Sequence, residues 1–172
     1  MARNIEIKAP VPELDAIRTR ARSLASSPAE ILEQTDTFLA VPSGRLKVRE
    51  FSDGTGELIS YQRPDQRGPK ESVYTRYPCQ SAQALLETLG KVLPVRGIVL
   101  KRREVFLVGR TRIHLDQVQS LGSFVELEVV LSDGESAERG EDVALKLLQK
   151  LEISESSLVA QAYIDLLEAA AV

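Results

Sequence analysis

The sequence contains little of several residue types, and each scarcity narrows the classes of protein that it can encode. Its 172 residues include one cysteine, Cys79, and no tryptophan. A single cysteine excludes an internal disulfide and a cysteine-based metal site, so we expect a reducing, cytoplasmic location. Aromatic residues make up 5% of the chain, which disfavours a platform for stacking nucleic-acid bases.

Charge and hydropathy exclude further classes. The net charge of −3 gives no global positive field, so the sequence predicts no nucleic-acid partner. No run approaches the ~18 apolar residues of a membrane span, and residues 1–10 lack the apolar core of a signal peptide. A composition of 43% hydrophobic and 27% charged residues is typical of a globular protein. The length fits one domain, which we predict over residues 1–172.

What the sequence does contain is a series of segments in which polar and apolar residues alternate. The segment NIEIKAPV places Asn4, Glu6 and Lys8 on one face of a strand and two isoleucines on the other. The further strand-like segments are EILEQTDTFL, RLKVREF, ELISYQRP, KESVYTRYPC and three strands within GIVLKRREVFLVGRTRIHLDQVQSLGSFVELEVVL. Helical spacing marks PELDAIRTRARSLASS, SAQALLETLGKVL, ERGEDVALKLLQKLEI and SSLVAQAYIDLLEAA. Antiparallel strands with segregated helices predict an α+β fold, and about eight strands can close around one small ligand.

The charged residues of the alternating strands fall into two groups. The basic group is Lys8, Lys47, Arg49, Arg63, Lys101, Arg103 and Arg112. The acidic group is Glu6, Glu126 and Glu128, with Asp36 and Asp116 as further candidates. Arginine and lysine suit phosphate oxygens, and clustered carboxylates suit Mg²⁺ or Mn²⁺, so together they fit a metal-bound polyphosphate. An antiparallel sheet with one face in water alternates in the same way, and the pattern alone leaves both interpretations open.

These segments resemble the CYTH superfamily, which joins class IV adenylyl cyclases and thiamine triphosphatases as triphosphate tunnel metalloenzymes. NIEIKA resembles the ExExK signature of the family. Four blocks resemble the cyclase-like branch in the correct order: QTDTFLAVPSGRLKVRE, LISYQRPDQRGPKESVY, VLKRREVFLVGRTRIHLDQVQSLGSFVELEVVL and AYIDLLE. The resemblance spans nearly the whole chain. It implies an eight-stranded antiparallel closed β-barrel with helices packed outside.

The resemblance also implies roles for individual residues. It implies Mg²⁺ or Mn²⁺ held by Glu6, Glu126 and Glu128, and a triphosphate held by the seven residues of the basic group. Catalytic roles fall to Lys8, Arg63 and Asp116, with Asp116 assisting the metal or orienting a basic neighbour. The first glutamate of the signature is Asn4 here, which implies that a second metal site is weaker or water-mediated. For the lone histidine, His114, we expect a structural hydrogen-bonding role, and acid–base catalysis near neutral pH is the alternative.

The implied function is that of a class IV adenylyl cyclase, which converts ATP to cyclic AMP and pyrophosphate. The alternative is a triphosphatase acting on thiamine triphosphate, a nucleoside triphosphate or tripolyphosphate. A second alternative is a module that binds polyphosphate without turnover. The expected partner is therefore a nucleoside or organic triphosphate. The oligomeric state stays open, with a homodimer among the options.

Overall fold

Eight antiparallel strands close into a barrel in the computed structural model of the protein, which describes residues 1–171. The strands are β1 (Ala2–Pro10), β2 (Glu30–Leu39), β3 (Arg45–Phe51), β4 (Gly56–Gln62), β5 (Lys70–Cys79), β6 (Val95–Val108), β7 (Thr111–Val118) and β8 (Gly122–Val130). Their order around the barrel is β1-β5-β4-β3-β2-β6-β7-β8, and β8 pairs back with β1. The predicted α+β fold with a closed eight-stranded barrel is confirmed.

Within the described residues, four helices flank the barrel: α1 (Leu14–Leu24), α2 (Ala82–Leu89), α3 (Ala137–Lys150) and α4 (Tyr163–Ala170). The start of α2 is fixed by Ser81, whose side-chain oxygen accepts a hydrogen bond from the backbone N–H of Ala84 at 3.2 Å. Within residues 1–171, no helix is long and apolar enough to cross a membrane.

The last helix is shorter than the sequence pattern predicts. The segment from Ser156 contains only a 3-10 turn (Glu155–Ser157), and α4 begins at Tyr163. Between them, the backbone N–H of Val159 donates to the carbonyl oxygen of Lys8 at 2.9 Å. The chain is held in an extended form here because it bonds to β1 rather than to itself.

The apolar faces of the strands point outwards, towards the helices. One core cluster joins β1, β7 and β8 to α1 and α3, and its members include Ile5, Ile7, Ile113, Leu115, Leu127, Leu14, Ile17, Leu147 and Leu148. A smaller cluster lies on the inward faces instead: Phe38 and Val99 share strand faces with Asp36 and Lys101, and they pack against the start of α4 at Ala162, Tyr163 and Ile164. Because a strand alternates, burying its apolar face under helices turns its charged face towards the barrel interior. The charged side chains therefore meet each other rather than bulk water.

Candidate active site

The charged strand faces line one cavity of about 280 Å³ inside the barrel. All seven residues of the predicted basic group line it, as do the predicted metal ligands Glu6, Glu126 and Glu128. Asp116 is fully buried and does not contribute to the lining. Apart from Asp116, the residues that the sequence patterns singled out on six separate strands therefore come together in one cavity.

A cationic cluster occupies one part of this cavity; we define it as Asp36, Lys47, Arg49 and Lys101. Asp36 is paired directly with Arg49 across the β2–β3 ladder. Its carboxylate accepts two hydrogen bonds from Arg49, at 2.7 and 2.8 Å, one from Lys47 at 2.7 Å and one from Lys101 at 2.8 Å. The sequence alone grouped Asp36 with the acidic residues, and the structure places it among the cations instead. Three cations share one carboxylate, so the cluster carries surplus positive charge.

The surplus perturbs the pKa values of the cluster. Burial opposes the ionisation of Asp36, but Arg49, Lys101 and Lys47 hold its pKa well below the usual range. Burial lowers the pKa of Lys101 to about 7; Asp36 opposes this shift, whereas Arg49, Arg103 and Lys47 add to it. Because burial makes the charged form of Lys101 unfavourable, an anion that binds beside it stabilises that charged form.

An acidic cluster lies on β1, β7 and β8; we define it as Glu6, Glu126, Glu128 and His114. The ladders place Glu6 opposite Glu128 and His114 opposite Glu126. One potential ligand atom from each of His114, Glu126 and Glu128 lies within 4.8 Å of the others. His114 Nδ1 is 3.6 Å from Glu126, too far for a hydrogen bond, and it has no hydrogen-bond partner within residues 1–171. The expected structural hydrogen bond of His114 is thus not found at this atom.

The acidic cluster has the charge and the donors that suit a divalent cation. Burial, together with repulsion from Glu126 and Glu128, raises the pKa of Glu6 to about 7, and Arg63 and Lys8 offset only part of this rise. Buried Asn4 Oδ1, also on the cavity wall, has no partner among the described residues. Clustered carboxylate oxygens, an imidazole nitrogen and an amide oxygen form a donor set that fits Mn²⁺ or Mg²⁺.

Two further cations lie against the acidic cluster. Lys8 Nζ is 3.3 Å from Glu126, and Lys8 with Arg103 holds the pKa of that carboxyl well below its usual range against the effect of burial. Arg103 Nη2 is 3.5 Å from Glu126, while its Nε and Nη2 each donate to Asp116 at 2.7 Å. Asp116 therefore lies behind Arg103 and fixes the plane of its guanidinium.

The remaining predicted cations also have acidic neighbours. Arg112 donates to Glu128 at 2.8 Å through Nε, and Arg63 Nε lies 3.7 Å from Glu6. Each predicted metal ligand is thus near at least one predicted phosphate ligand. A ligand that carries both metal and phosphate could contact both groups at once.

Sequence reasoning missed two residues of the site. It assigned His114 no part in the metal site, although the alternation with Arg112 and Asp116 put it on the charged face. A single histidine in the sequence does not indicate which side chains lie near it in the fold. It gave no role to Tyr163, which lines the cavity although it belongs to α4. No local pattern predicts that a helix after the barrel sends a side chain into it.

A closed antiparallel barrel whose interior is charged defines a tunnel protein. The family model of the CYTH domain matches residues 2–163. The chain belongs to the CYTH domain family, as its motifs indicated. A comparison with curated proteins gives no match.

Several solved structures share the fold. The PH1012 protein of Pyrococcus horikoshii superposes with a TM-score of 0.85 at 24% identity, covering 94% of this chain and 98% of that one. A candidate adenylate cyclase from Vibrio parahaemolyticus gives 0.81 at 21% identity, covering 96% and 97%. A candidate adenylyl cyclase from Hippeastrum, described as having a dominant triphosphatase activity, gives 0.68 at 15% identity, covering 99% and 96%. At these identities the likeness establishes the fold, and the reaction has to be argued from the site.

Proposed function

We propose that the protein is a metal-dependent enzyme that cleaves a nucleoside or organic triphosphate inside the barrel. The observation that carries this proposal is that one cavity holds both the cationic cluster and the acidic cluster, and that Lys8 and Arg103 of the same cavity lie against Glu126. Phosphate oxygens suit the first cluster, and a divalent metal suits the second. A metal-bound triphosphate needs both within a few ångströms.

The charge of the cavity supports the same ligand. Eight lysine and arginine side chains and six carboxylates line it, a surplus of two positive charges. The whole chain has a net charge of −3, so the surplus is local to the interior. An organic triphosphate carries about four negative charges and a divalent metal removes two of them, so the complex would balance the cavity. A buried surplus of charge is unfavourable until such a partner arrives.

The chain's own residues have separable roles in the proposed reaction. Glu6, Glu126, Glu128 and His114 would hold Mg²⁺ or Mn²⁺. When bound, the metal supplies charge neutralisation on the phosphate oxygens. Lys47, Arg49, Lys101, Arg103 and Arg112 would bind the other phosphate oxygens. Lys8 and Arg63 reach the border of the acidic cluster, where they would stabilise charge that builds up as the bond breaks. Asp116 would act through Arg103.

The first candidate reaction is that of an adenylyl cyclase. The ribose 3′-hydroxyl would attack the α-phosphorus of ATP, and pyrophosphate would leave. Tyr61 favours a nucleotide, because its partly exposed ring lines the cavity, and Lys47 Nζ lies 5.8 Å from the ring centroid. Aromatic faces beside a phosphate-binding cation could stack a purine base. The cyclase-like motifs and the fold of the Vibrio protein support the same reaction.

The second candidate is hydrolysis of the terminal phosphate. In this reaction the three glutamates alone would hold the metal, and the imidazole of His114, which lies 3.6 Å from Glu126, would orient the attacking water. The Hippeastrum protein, described as mainly a triphosphatase, has the same fold. Both reactions use the same cations and the same metal and differ only in the attacking oxygen. We also propose that residues 1–172 form one CYTH domain and that the protein works in the cytoplasm.

Product analysis tests the proposal and separates the reactions. Purified protein is incubated with ATP, GTP, thiamine triphosphate or tripolyphosphate, each with Mg²⁺ or Mn²⁺, and the products are resolved by chromatography. Cyclic AMP with pyrophosphate identifies a cyclase, and orthophosphate with a diphosphate product identifies a triphosphatase. Binding by calorimetry with no product over hours would instead identify a polyphosphate-binding module. A protein that binds none of the four compounds would refute the proposal.

A further inference from the structure

Tyr163 touches two of the cations that the proposed triphosphate would meet. It is buried, it is the first residue of α4, and its ring lines the cavity. The ring centroid lies 3.9 Å from Lys8 Nζ and 6.0 Å from Lys101 Nζ. An aromatic face at this distance attracts an ammonium group and restricts where it can sit.

The hydroxyl of Tyr163 acts on a third cation through Asp116. It donates to Asp116 Oδ2 at 2.7 Å, and the same carboxylate binds both Nε and Nη2 of Arg103. Asp116 is fully buried and does not line the cavity, so it acts on a ligand only through Arg103. The ring of Tyr163 thus contacts Lys8, and its hydroxyl binds Asp116, the carboxylate that orients Arg103.

Tyr163 is itself held in place by the segment before it. We call residues 158–162 the C-terminal strap. The backbone N–H of Val159 donates to Lys8 O at 2.9 Å, and the carbonyl oxygen of Val159 accepts from Lys70 Nζ at 3.2 Å. Lys70 is 1% exposed, does not line the cavity, and its Nζ bonds only to backbone carbonyls among the described residues. The buried ammonium group of Lys70 therefore holds the backbone of the strap in place at Val159.

Packing fixes the other side of the ring. Phe124 meets it edge-on, with centroids 5.1 Å apart and planes at 70°. The next residue, Ile164, sits so close to Gly97 that a Cβ there would lie 2.6 Å from Ile164 Cδ1. The ring therefore has one orientation, with its face towards Lys8.

We infer that Tyr163 is a positioning residue for the proposed triphosphate site, which sets the positions of Lys8 and Arg103 before the ligand binds. The inference rests on the proposed function. Preorganised cations lose less entropy on binding, so loosening them lowers affinity without removing any charge. Greater mobility of Lys8 and Arg103 is compatible with a folded barrel, so affinity can fall while the protein stays folded.

Graded substitutions at Tyr163 test the inference by calorimetry with tripolyphosphate and Mg²⁺. Tyr163→Phe keeps the ring and removes the hydroxyl, and we expect about tenfold weaker binding, the effect of one hydrogen bond to a charged group. Tyr163→Leu removes both contacts and should bind more weakly still. The matched control is Tyr77→Phe, because Tyr77 is 69% exposed and its hydroxyl has no hydrogen bond within residues 1–171. Binding by the control should equal that of the wild type.

A purely structural role would give a different result. Melting temperatures of the Tyr163 variants would fall, but the folded variants would bind tripolyphosphate as the wild type does, and this would overturn the inference alone. If the leucine variant does not fold, Val159→Pro serves as the second variant, since it removes the N–H that bonds to Lys8 O and leaves every charge of the cavity in place. It should also weaken binding, and unchanged affinity in both it and Tyr163→Phe would refute the positioning role. A wild-type protein that does not bind tripolyphosphate would overturn the inference together with the proposed function.

Discussion

Binding of a triphosphate is expected to add a proton to Lys101. In the free protein, burial lowers the pKa of Lys101 to about 7 although its Nζ lies 2.8 Å from Asp36. A group with that pKa lacks about 0.9 of its proton at pH 8. A phosphate oxygen beside the amine favours its charged form and raises its pKa, so the complex binds more protons than the free protein. Affinity should therefore fall as pH rises above 7, by up to about tenfold per pH unit, until the pKa of the complex is reached.

Proton uptake can be measured directly. Calorimetric titrations with tripolyphosphate at saturating Mg²⁺ and pH 8, in buffers of different ionisation enthalpy, give the number of protons taken up. The ligand contributes little at this pH, because the last proton of a phosphate leaves near pH ~6. Lys101→Arg is the matched control, since a guanidinium stays charged and has no proton to gain. We expect uptake of more than half a proton in the wild type and a much smaller value in the arginine variant.

Two results would refute this reasoning. Uptake below about 0.3 proton in the wild type would mean that Lys101 is already charged in the free cavity. Equal uptake in the wild type and in Lys101→Arg would move the effect to another group. Lys47, whose pKa is also lowered by burial and by Arg49, is then the first residue to test in the same way.

Three further predictions follow from the contacts of the site. Glu126→Ala and Glu128→Ala should each abolish turnover with an unchanged circular dichroism spectrum, because each removes a carboxylate of the acidic cluster; full activity in both would contradict the metal assignment. Arg49→Ala should weaken tripolyphosphate binding by ~1.5–3 kcal/mol, the worth of a charge-assisted contact, measured by calorimetry; unchanged affinity would count against the tunnel as the binding site. Gly56→Ala should lower the free energy of unfolding in urea by ~1–3 kcal/mol, because its Cβ would lie 2.4 Å from the carbonyl oxygen of Arg49; wild-type stability would contradict this packing.

The sequence predicted the faces of the strands well and their partners poorly. Alternation placed Lys47 with Arg49 and Glu126 with Glu128, and these pairs do share the interior. Alternation says nothing about which strands are neighbours, because the order around a barrel depends on distant pairings. Asp36 shows the consequence. Its contact with Lys101 joins residues 65 apart in the chain, through the β2–β6 ladder, so its place among cations could not be read locally.

The C-terminal strap shows a second limit of local patterns, and here the difference concerns the site itself. The segment SSLVAQAYIDLLEAA has apolar residues at helical spacing, yet it starts within a 3-10 turn, residues 158–162 are not helical, and only Tyr163–Ala170 is α-helical. An isolated helix of about 15 residues is only marginally stable in water, so a few tertiary contacts can override its preference. The bonds of Val159 with Lys8 and Lys70 supply such contacts. Because they delay the start of α4, Tyr163 occupies the first turn, where its ring can reach Lys8 and its hydroxyl can reach Asp116.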